Sequence, residues 1–326
     1  MPVTGTPASP WHPGEVALQR MLGIDERMAE IGARVVRDAM PDQHRQFFAQ
    51  LPFVVLGTVD PAGDAWATLR TGEPGFVTSA DPRTLTVAAA RQPDDPAEAG
   101  MEDGAAVALL GIELESRRRN RANGRLRRDA PDGFRVEVAQ SFGNCPQYIQ
   151  ERHGAPVPDS HSPAVENLAG LDDAARALIG AADTLFVATY ADLPDGREVD
   201  VSHRGGRAGF VHIEPSGVLV VPDFSGNRFF NTLGNIMLSR RAGLTFLDFA
   251  SGDLLQLSGE AAVLAGGAGA VPGAERLWAV RPRRIVRRRA ALPLRWAFAG
   301  WSPATLRTGS WPAQEAAGLP QSASSR

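Results

Sequence analysis

The chain has 326 residues, of which 43% are apolar and 22% charged, and its net charge is -3 at pH 7. This composition is that of an ordinary globular protein, long enough for two modest domains that need no disulfides or metals. A single cysteine, Cys145, excludes an intrachain disulfide, a cysteine-ligated iron–sulfur cluster and a four-cysteine zinc site. Because lysine is absent, neither a pyridoxal phosphate Schiff base nor a P-loop lysine is available.

The N-terminal region is predicted to be a single helical arm. Gly14–Met40 carries apolar residues at helical spacing, and Pro41 follows it as a stop signal. Acidic residues in the first thirty positions interrupt any signal peptide, and no apolar stretch approaches the ~20 residues that span a bilayer. We therefore predict a cytoplasmic protein without membrane association.

A diverged internal repeat follows the arm. The two copies are offset by 134 residues, as between Arg70 and Arg204, and Phe76 matches Phe210 at the same offset. Each copy has short apolar or alternating runs separated by turn residues at about ten-residue spacing, which is typical of an antiparallel sheet or small barrel. Two unrelated meanders would share such turns, but not the single offset and the shared arginine. The repeat predicts a mostly β (α+β) fold.

Peripheral segments separate and follow the two copies. A short helix with an acidic start is predicted over Leu168–Ala182. Proline-rich sequence before it indicates a linker at residues 156–166. Residues 1–155 are then the helical arm and first domain, residues 167–300 the second domain, and residues 301–326 a C-terminal tail.

The repeats differ most after their closing strands. The first copy has the acidic, proline-broken Arg91–Pro96, whereas the second has a turn that runs into a helix over Pro222–Ile236. The N-terminus of a helix presents unpaired N–H groups and a partial positive charge, and Arg204 on a neighbouring strand can add a bidentate contact. The pattern predicts a phosphate-binding site that uses no lysine. The same residues are also compatible with a surface turn and an ordinary capped helix.

Several motifs together resemble one family. Ser202–Gly206, Gly209–Val211, Pro222–Asn227 and Phe230–Asn235 look like the flavin-nucleotide-binding branch of the pyridoxamine 5'-phosphate oxidase-like split barrels. Similar first-half segments are Trp11–Glu15 with Gln19, Arg117–Gly124 and Phe142–Gln150. The resemblance extends from about Trp11 to Trp311. It implies two tandem FMN-binding split β-barrels with an N-terminal helical arm and short peripheral helices.

The resemblance also implies which residues bind FMN. The flavin phosphate would be held by Arg204, Asn227 and Arg228. The ring and ribityl chain would lie against Ser202, His203 and the end of the strand at Val221, Pro222 and Asp223, with Asn231, Thr232 and Asn235 behind.

The family resemblance departs from the oxidase itself. The Arg-Lys pair and the C-terminal Arg-x-His segment that bind the substrate phosphate in pyridoxamine phosphate oxidases are missing, so vitamin B6 oxidation is not expected. Members of this branch often continue into a ferredoxin-reductase-like module after a segment like Ser302–Gly309. The sequence given ends soon after that segment, so the expected electron source is an external reductase or NAD(P)H.

Flavin in this fold sits between two barrels, so the duplicated chain is expected to be a pseudo-dimer. The second barrel would supply the phosphate site, and Arg117–Arg121 or Asn144–Tyr148 of the first would face the flavin. A homodimer of such chains is also expected.

The leading interpretation is an FMN-binding flavoprotein, an oxidoreductase of unknown substrate. The alternatives are a non-catalytic flavin- or haem-binding or sensing protein, with His203 or His212 as axial ligand, and a scaffold that has lost its ligand. The arginine runs at 117–128 and 281–289 are interpreted as solvated strand faces, and no nucleic-acid binding is expected because the net charge is negative. No histidine spacing indicates a metal site, and Cys145 is interpreted as a small buried residue or a nucleophile.

Overall fold

The computed structural model describes residues 9–158 and 164–311, in which two antiparallel sheets dominate. The strands of the first half are β1 (Phe53–Val59), β2 (Ala65–Thr71), β3 (Val77–Thr78), β4 (Thr84–Val87), β5 (Ala106–Glu113), β6 (Arg118–Arg127) and β7 (Phe134–Gly143). Two connecting strands follow, β8 (Glu151–Pro156) and β9 (Ala164–Leu168). The second half has β10 (Thr184–Leu193), β11 (Gly196–Gly205), β12 (His212–Ile213), β13 (Leu219–Phe224), β14 (Arg241–Leu247), β15 (Leu254–Val263) and β16 (Ala274–Arg289), and β17 (Leu294–Gly300) ends the series.

The two halves have the same topology. The first sheet has the order β2-β1-β5-β6-β7-β4-β3, and the second has β11-β10-β14-β15-β16-β13-β12, with β9 added on β16. Every strand of the second order occupies the place of its counterpart in the first. The mostly β fold is therefore confirmed, and the 134-residue offset corresponds to a repeated strand order.

The helices lie around these sheets. They are α1 (Pro13–Met21), α2 (Asp25–Val35), α3 (Asp42–Gln50), α4 (Asp173–Ala181), α5 (Asn231–Ser239) and α6 (Pro303–Leu306), with a short 3-10 helix at Pro96–Gly100. Within residues 9–158 and 164–311, no helix combines the length and apolar character needed to cross a bilayer.

The prediction of a single helix over residues 14–40 was wrong, because the arm consists of α1 and α2. Gly23 adopts a left-handed conformation (φ +65°), and the amides of Gly23 and Ile24 donate to the carbonyls of Arg20 and Gln19. This Schellman arrangement ends α1, and α2 then starts in a new direction. A third helix, α3, begins after Pro41, where the sequence had indicated only a stop.

Each half has its own hydrophobic cluster, and a further cluster joins the two halves. One hydrophobic cluster combines Val55 and Leu110 of the first sheet with Ala188, Val201 and Leu254 of the second. Glycine permits the closest approach: a Cβ on Gly243 would lie 2.1 Å from the Ala65 carbonyl oxygen. Because burial of apolar surface is the main stabilising term in folding, this joining cluster holds the two halves together.

The connecting segments are more structured than predicted. The predicted linker at 156–166 ends inside β9, which pairs with β16, and residues 159–163 lie outside the described residues. Strand β8, assigned to the first domain, pairs with β17 near the end of the chain. The predicted tail begins with α6, whose buried Thr305 accepts a hydrogen bond from Gln150 (3.0 Å), while residues 312–326 lie outside the description.

Candidate functional site

A polar cleft lies between the two halves, with one wall from each. The first half contributes Arg119 and Arg121 of β6 and the segment after β7, namely Asn144, Cys145, Gln147 and Tyr148. The second half contributes seven of the predicted site residues, namely Ser202, His203, Arg204, Pro222, Asn227, Asn231 and Thr232. Gly205, Phe224 and Gly226 complete the lining.

Four predicted site residues do not line the cleft. Val221 points into the hydrophobic core of the second half, as strand alternation requires between Pro222 and its neighbours. Asp223 is buried behind the wall, and Asn235 donates to Thr189 (3.1 Å) one helical turn away from the cleft. Arg228 lies at the surface with its guanidinium 3.8 Å from Glu275.

Three guanidinium groups converge on the cleft. Arg204 donates to Asp223 at 3.0 Å, and Arg121 donates to Asp200 at 2.6 Å. Arg119 instead donates to the carbonyl oxygen of Cys145 at 2.7 Å. No ion pair joins Arg119 to a carboxylate among the described residues, so the cleft carries more positive charge than its walls neutralise.

The environment of Arg119 opposes its charge. Burial, together with the positive charges of Arg121 and Arg204, lowers the pKa of Arg119 to about 9. Arg119 is partly buried, and a cation in such a position without an anionic partner is unfavourable, so an incoming anion would relieve this cost. The cleft is therefore built to receive negative charge.

His203 lines the cleft in its neutral form, and one of its ring nitrogens has no hydrogen-bond partner among the described residues. Burial and the nearby charges of Arg119 and Arg204 lower its pKa well below the usual value. Its Nδ1 lies 3.4 Å from Arg119 Nη1, and its buried Nε2 has no hydrogen-bond partner. Since a guanidinium only donates, this pairing places the ring proton on Nε2, which is then a buried donor with no partner among the described residues.

The start of α5 forms the floor of the cleft. The preceding turn is strained, because the non-glycine residues Arg228 (φ +61°) and Phe230 (φ +63°) adopt left-handed conformations. This turn brings Asn227 and the first helical residues, Asn231 and Thr232, to the cleft. A helix beginning there presents unpaired N–H groups and a partial positive charge.

The equivalent position in the first half is filled by its own ion pairs. Arg70, the counterpart of Arg204, is 1% exposed and contacts Asp95 at 2.7 Å and Glu98 at 2.9 Å. Arg288 of the second half also reaches Asp95, at 3.0 Å. Asp95 belongs to the acidic, proline-broken segment and Glu98 to the 3-10 helix that follows it, so the guanidinium that corresponds to Arg204 is already neutralised.

The remaining candidates from the sequence are Cys145, His212 and the second arginine run. Cys145 is a free, partly buried thiol in the cleft wall. His212 packs against Trp311 with ring centroids 5.1 Å apart and does not line the cleft. In the second arginine run, Arg284 and Arg287 pair with Asp60 (2.6 Å) and Glu166 (2.9 Å).

The contribution of the first half was only outlined by the sequence. The segments 117–121 and 144–148 were expected to face the ligand, but no individual residue in them could be chosen. The missing signal was the strand's register: five of the ten residues of β6 are arginine, and the sequence does not show which of them face the second half. Arg119 and Arg121 were therefore predicted only as part of the range 117–121, and not as individual site residues.

The fold and this cleft between two repeated halves define a split-barrel protein. Residues 40–161 match the family model described as pyridoxamine 5'-phosphate oxidase. The predicted resemblance to pyridoxamine 5'-phosphate oxidase-related split barrels is confirmed by this match. No curated protein matches the chain.

Solved structures with related shapes were also found. The FAD binding protein from Mycobacterium smegmatis is 12% identical, with a TM-score of 0.25, and the match covers 39% of this chain and 98% of that one. HutZ, the heme storage protein from Vibrio cholerae, is 10% identical, with a TM-score of 0.26 and coverage of 37% and 95%. HupZ from Group A Streptococcus is 13% identical, with a TM-score of 0.27 and coverage of 39% and 93%. Scores this low do not bear on what the cleft binds.

Proposed function

We propose that the cleft binds FMN and that the protein is an FMN-dependent oxidoreductase. The observation that carries this proposal is the convergence of three guanidinium groups, Arg119, Arg121 and Arg204, on a site with only two paired carboxylates. Arginine pairs with phosphate through two parallel hydrogen bonds, and the start of α5 adds backbone donors. A phosphate monoester supplies the negative charge that this arrangement lacks.

The rest of the cleft suits the ring of a flavin. Tyr148 and Phe224 form a tilted aromatic pair with ring centroids 5.3 Å apart, and Pro222 adds apolar surface. His203 offers a neutral N–H donor, which fits the carbonyl and nitrogen acceptors of an isoalloxazine. When bound, FMN would supply the hydride and electron transfer, while the protein binds and orients it. NAD(P)H or an external reductase would provide the electrons.

Ligand entry requires the cleft wall to move. The cavity volume is about 80 Å³, whereas pockets for small ligands typically have about 300–1,000 Å³. Tyr148 closes the cleft: it has a left-handed backbone (φ +65°), and its hydroxyl donates to the Ser225 carbonyl at 2.9 Å. We expect the Asn144–Tyr148 segment to shift outward when the ring enters.

Haem binding is the second candidate, and the geometry favours it less. An axial histidine coordinates iron through an unprotonated nitrogen, but the contact with Arg119 places the proton of His203 on Nε2. His212, the other candidate ligand, lies outside the cleft. A haem protein would thus have to use His203 in its other tautomer.

The visible spectrum of the purified protein, followed by identification of the released chromophore, tests the proposal. Two flavin bands and release of FMN would support it, whereas a single intense Soret band would identify haem. Arg204→Ala should weaken FMN binding by about 1.5–3 kcal/mol, the range for a charge-assisted hydrogen bond. A protein that neither contains nor takes up FMN would refute the cofactor assignment.

A further inference from the structure

Helix α1 contacts α5 directly behind the cleft. A Cβ on Gly14 would lie 2.2 Å from the carbonyl oxygen of Gly234, and a Cβ on Gly234 would lie 2.7 Å from the backbone nitrogen of Glu15. These distances leave no room for a larger residue at either position. The two helices are therefore in backbone contact, and α1 cannot shift without moving the start of α5.

The same helix holds the strained turn before α5. The Trp11 ring packs on Phe229 with centroids 4.7 Å apart, and the buried Gln19 side chain donates to the Phe229 carbonyl at 3.4 Å. Phe229 lies between the two left-handed residues of the turn, Arg228 and Phe230. Strained backbone of this kind persists only when surrounding contacts hold it, and here α1 supplies those contacts.

A chain of hydrogen bonds leads from α1 into the cleft. Glu15 is 3% exposed, and its Oε1 accepts from Asn231 Nδ2. The other end of that amide, Asn231 Oδ1, accepts from Arg121 Nη1 at 2.9 Å. Glu15 thereby orients the amide so that its oxygen, and not its NH₂ group, faces Arg121. A reversed amide would place a donor against a group that can only donate.

We propose that α1 is part of the ligand site and that Glu15 is a positioning residue, which acts through Asn231 to set the direction of the Arg121 guanidinium. The ligand identity in this inference rests on the proposed function. The hydrogen-bond chain itself is present without any ligand. Glu15 makes no contact with the cleft, so its effect on binding is indirect.

The charge state of Glu15 also affects the cleft. Burial, with a smaller contribution from Asp200 and Glu198 of β11, outweighs the hydrogen bonds from His12 and Asn231 and raises the pKa of Glu15 to about 8. The other charged groups that face it are Arg121 and, on α1 itself, His12, whose pKa burial lowers. Helix α5 contributes no titratable group, because Asn231–Ser239 contains none. Glu15 is thus neutral at pH 7 and adds negative charge beside Arg121 as the pH rises past 8.

Two variants test the proposal, with Glu26→Gln on the exposed face of α2 as the matched control. In ligand-free protein, Glu15→Ala should speed hydrogen exchange of the backbone amides at residues 228–231, whereas Glu26→Gln should not. The FMN dissociation constant of Glu15→Ala at pH 7 should rise roughly tenfold, as for loss of one hydrogen-bonded contact. Unchanged exchange in Glu15→Ala would overturn the positioning role of Glu15 whether or not FMN binds.

The pH profile separates positioning from general destabilisation. Wild-type affinity for FMN, followed by fluorescence quenching, should fall between pH 7 and 9, because ionised Glu15 offsets the positive charge of the cleft. The affinity of Glu15→Gln for FMN should fall less, because glutamine cannot ionise. Any deprotonation of Arg119 affects both proteins alike. Identical profiles would overturn the role of Glu15. If wild type fails to bind FMN while Glu15→Ala exchanges faster, the positioning role of Glu15 is supported and the proposed function fails.

Discussion

Replacing Arg119 should have opposite effects on ligand binding and on stability. Arg119→Gln removes the positive charge but keeps an N–H donor for the Cys145 carbonyl, which Arg119 now satisfies at 2.7 Å. Loss of a charge-assisted phosphate contact should weaken FMN binding by about 1.5–3 kcal/mol, or roughly 10- to 150-fold. Riboflavin, which has no phosphate, should bind the variant and the wild type equally well.

The ligand-free variant should be more stable, since the folded state no longer buries an uncompensated charge. The lowered pKa of Arg119 shows that burial and its cationic neighbours disfavour the charged form. Relief of this unfavourable burial is expected to raise the free energy of unfolding by about 1 kcal/mol, near the lower end for replacement of buried charges. Urea unfolding without ligand and FMN titration measure the two quantities.

Arg118→Gln is the matched control for this experiment. Arg118 is the preceding residue of β6, and its guanidinium stacks on Phe47 at 4.4 Å, away from the cleft. The Arg118→Gln substitution should leave FMN affinity unchanged. The reasoning fails if Arg119→Gln weakens riboflavin and FMN equally, or if it destabilises the ligand-free protein while FMN affinity stays at the wild-type value.

Two further predictions concern the filled position in the first half. Because Arg70 is already paired with Asp95 and Glu98, FMN should bind at one equivalent per chain in a calorimetric titration, and a second equivalent of similar affinity would contradict this interpretation. Asp95→Asn leaves Arg70 and Arg288 poorly compensated and should destabilise the protein by about 3–5 kcal/mol in urea unfolding. Its FMN affinity should not change, and weaker binding would mean that this cluster is coupled to the cleft.

The mostly β fold and its internal repeat could be predicted from the sequence because strand signals recur at a constant spacing. Alternating apolar runs and turn residues such as Asp60–Gly63 depend on local backbone geometry, and Gly63 indeed has a positive φ (+81°). The prediction of a single helical arm was wrong for a local reason as well. Apolar spacing continues through Gly23, and only the left-handed conformation of that glycine shows that one helix ends and another begins.

The second-half wall of the cleft was accessible to sequence reasoning because it differs from its own repeat. The turn that contains Asn227 stood out against the acidic segment at the same place in the first half, and Arg204 was placed on a neighbouring strand by the repeat. The first-half wall had no such contrast: Arg119 and Arg118 are neighbours in one arginine run, and only the pairing of β6 shows which faces the cleft. The role of Glu15 depends on contacts across 216 residues of sequence, which no local pattern reports.

Both walls of the cleft belong to a single polypeptide. In a symmetric dimer with a site between subunits, dilution separates the walls and empties the site, whereas here the second wall is present at a fixed, high effective concentration. Ligand retention should then be independent of protein concentration. Covalent linkage also released the two copies from symmetry. A substitution in one no longer appears in the other, so the Arg70 position could become a structural ion cluster while the Arg204 position remained open.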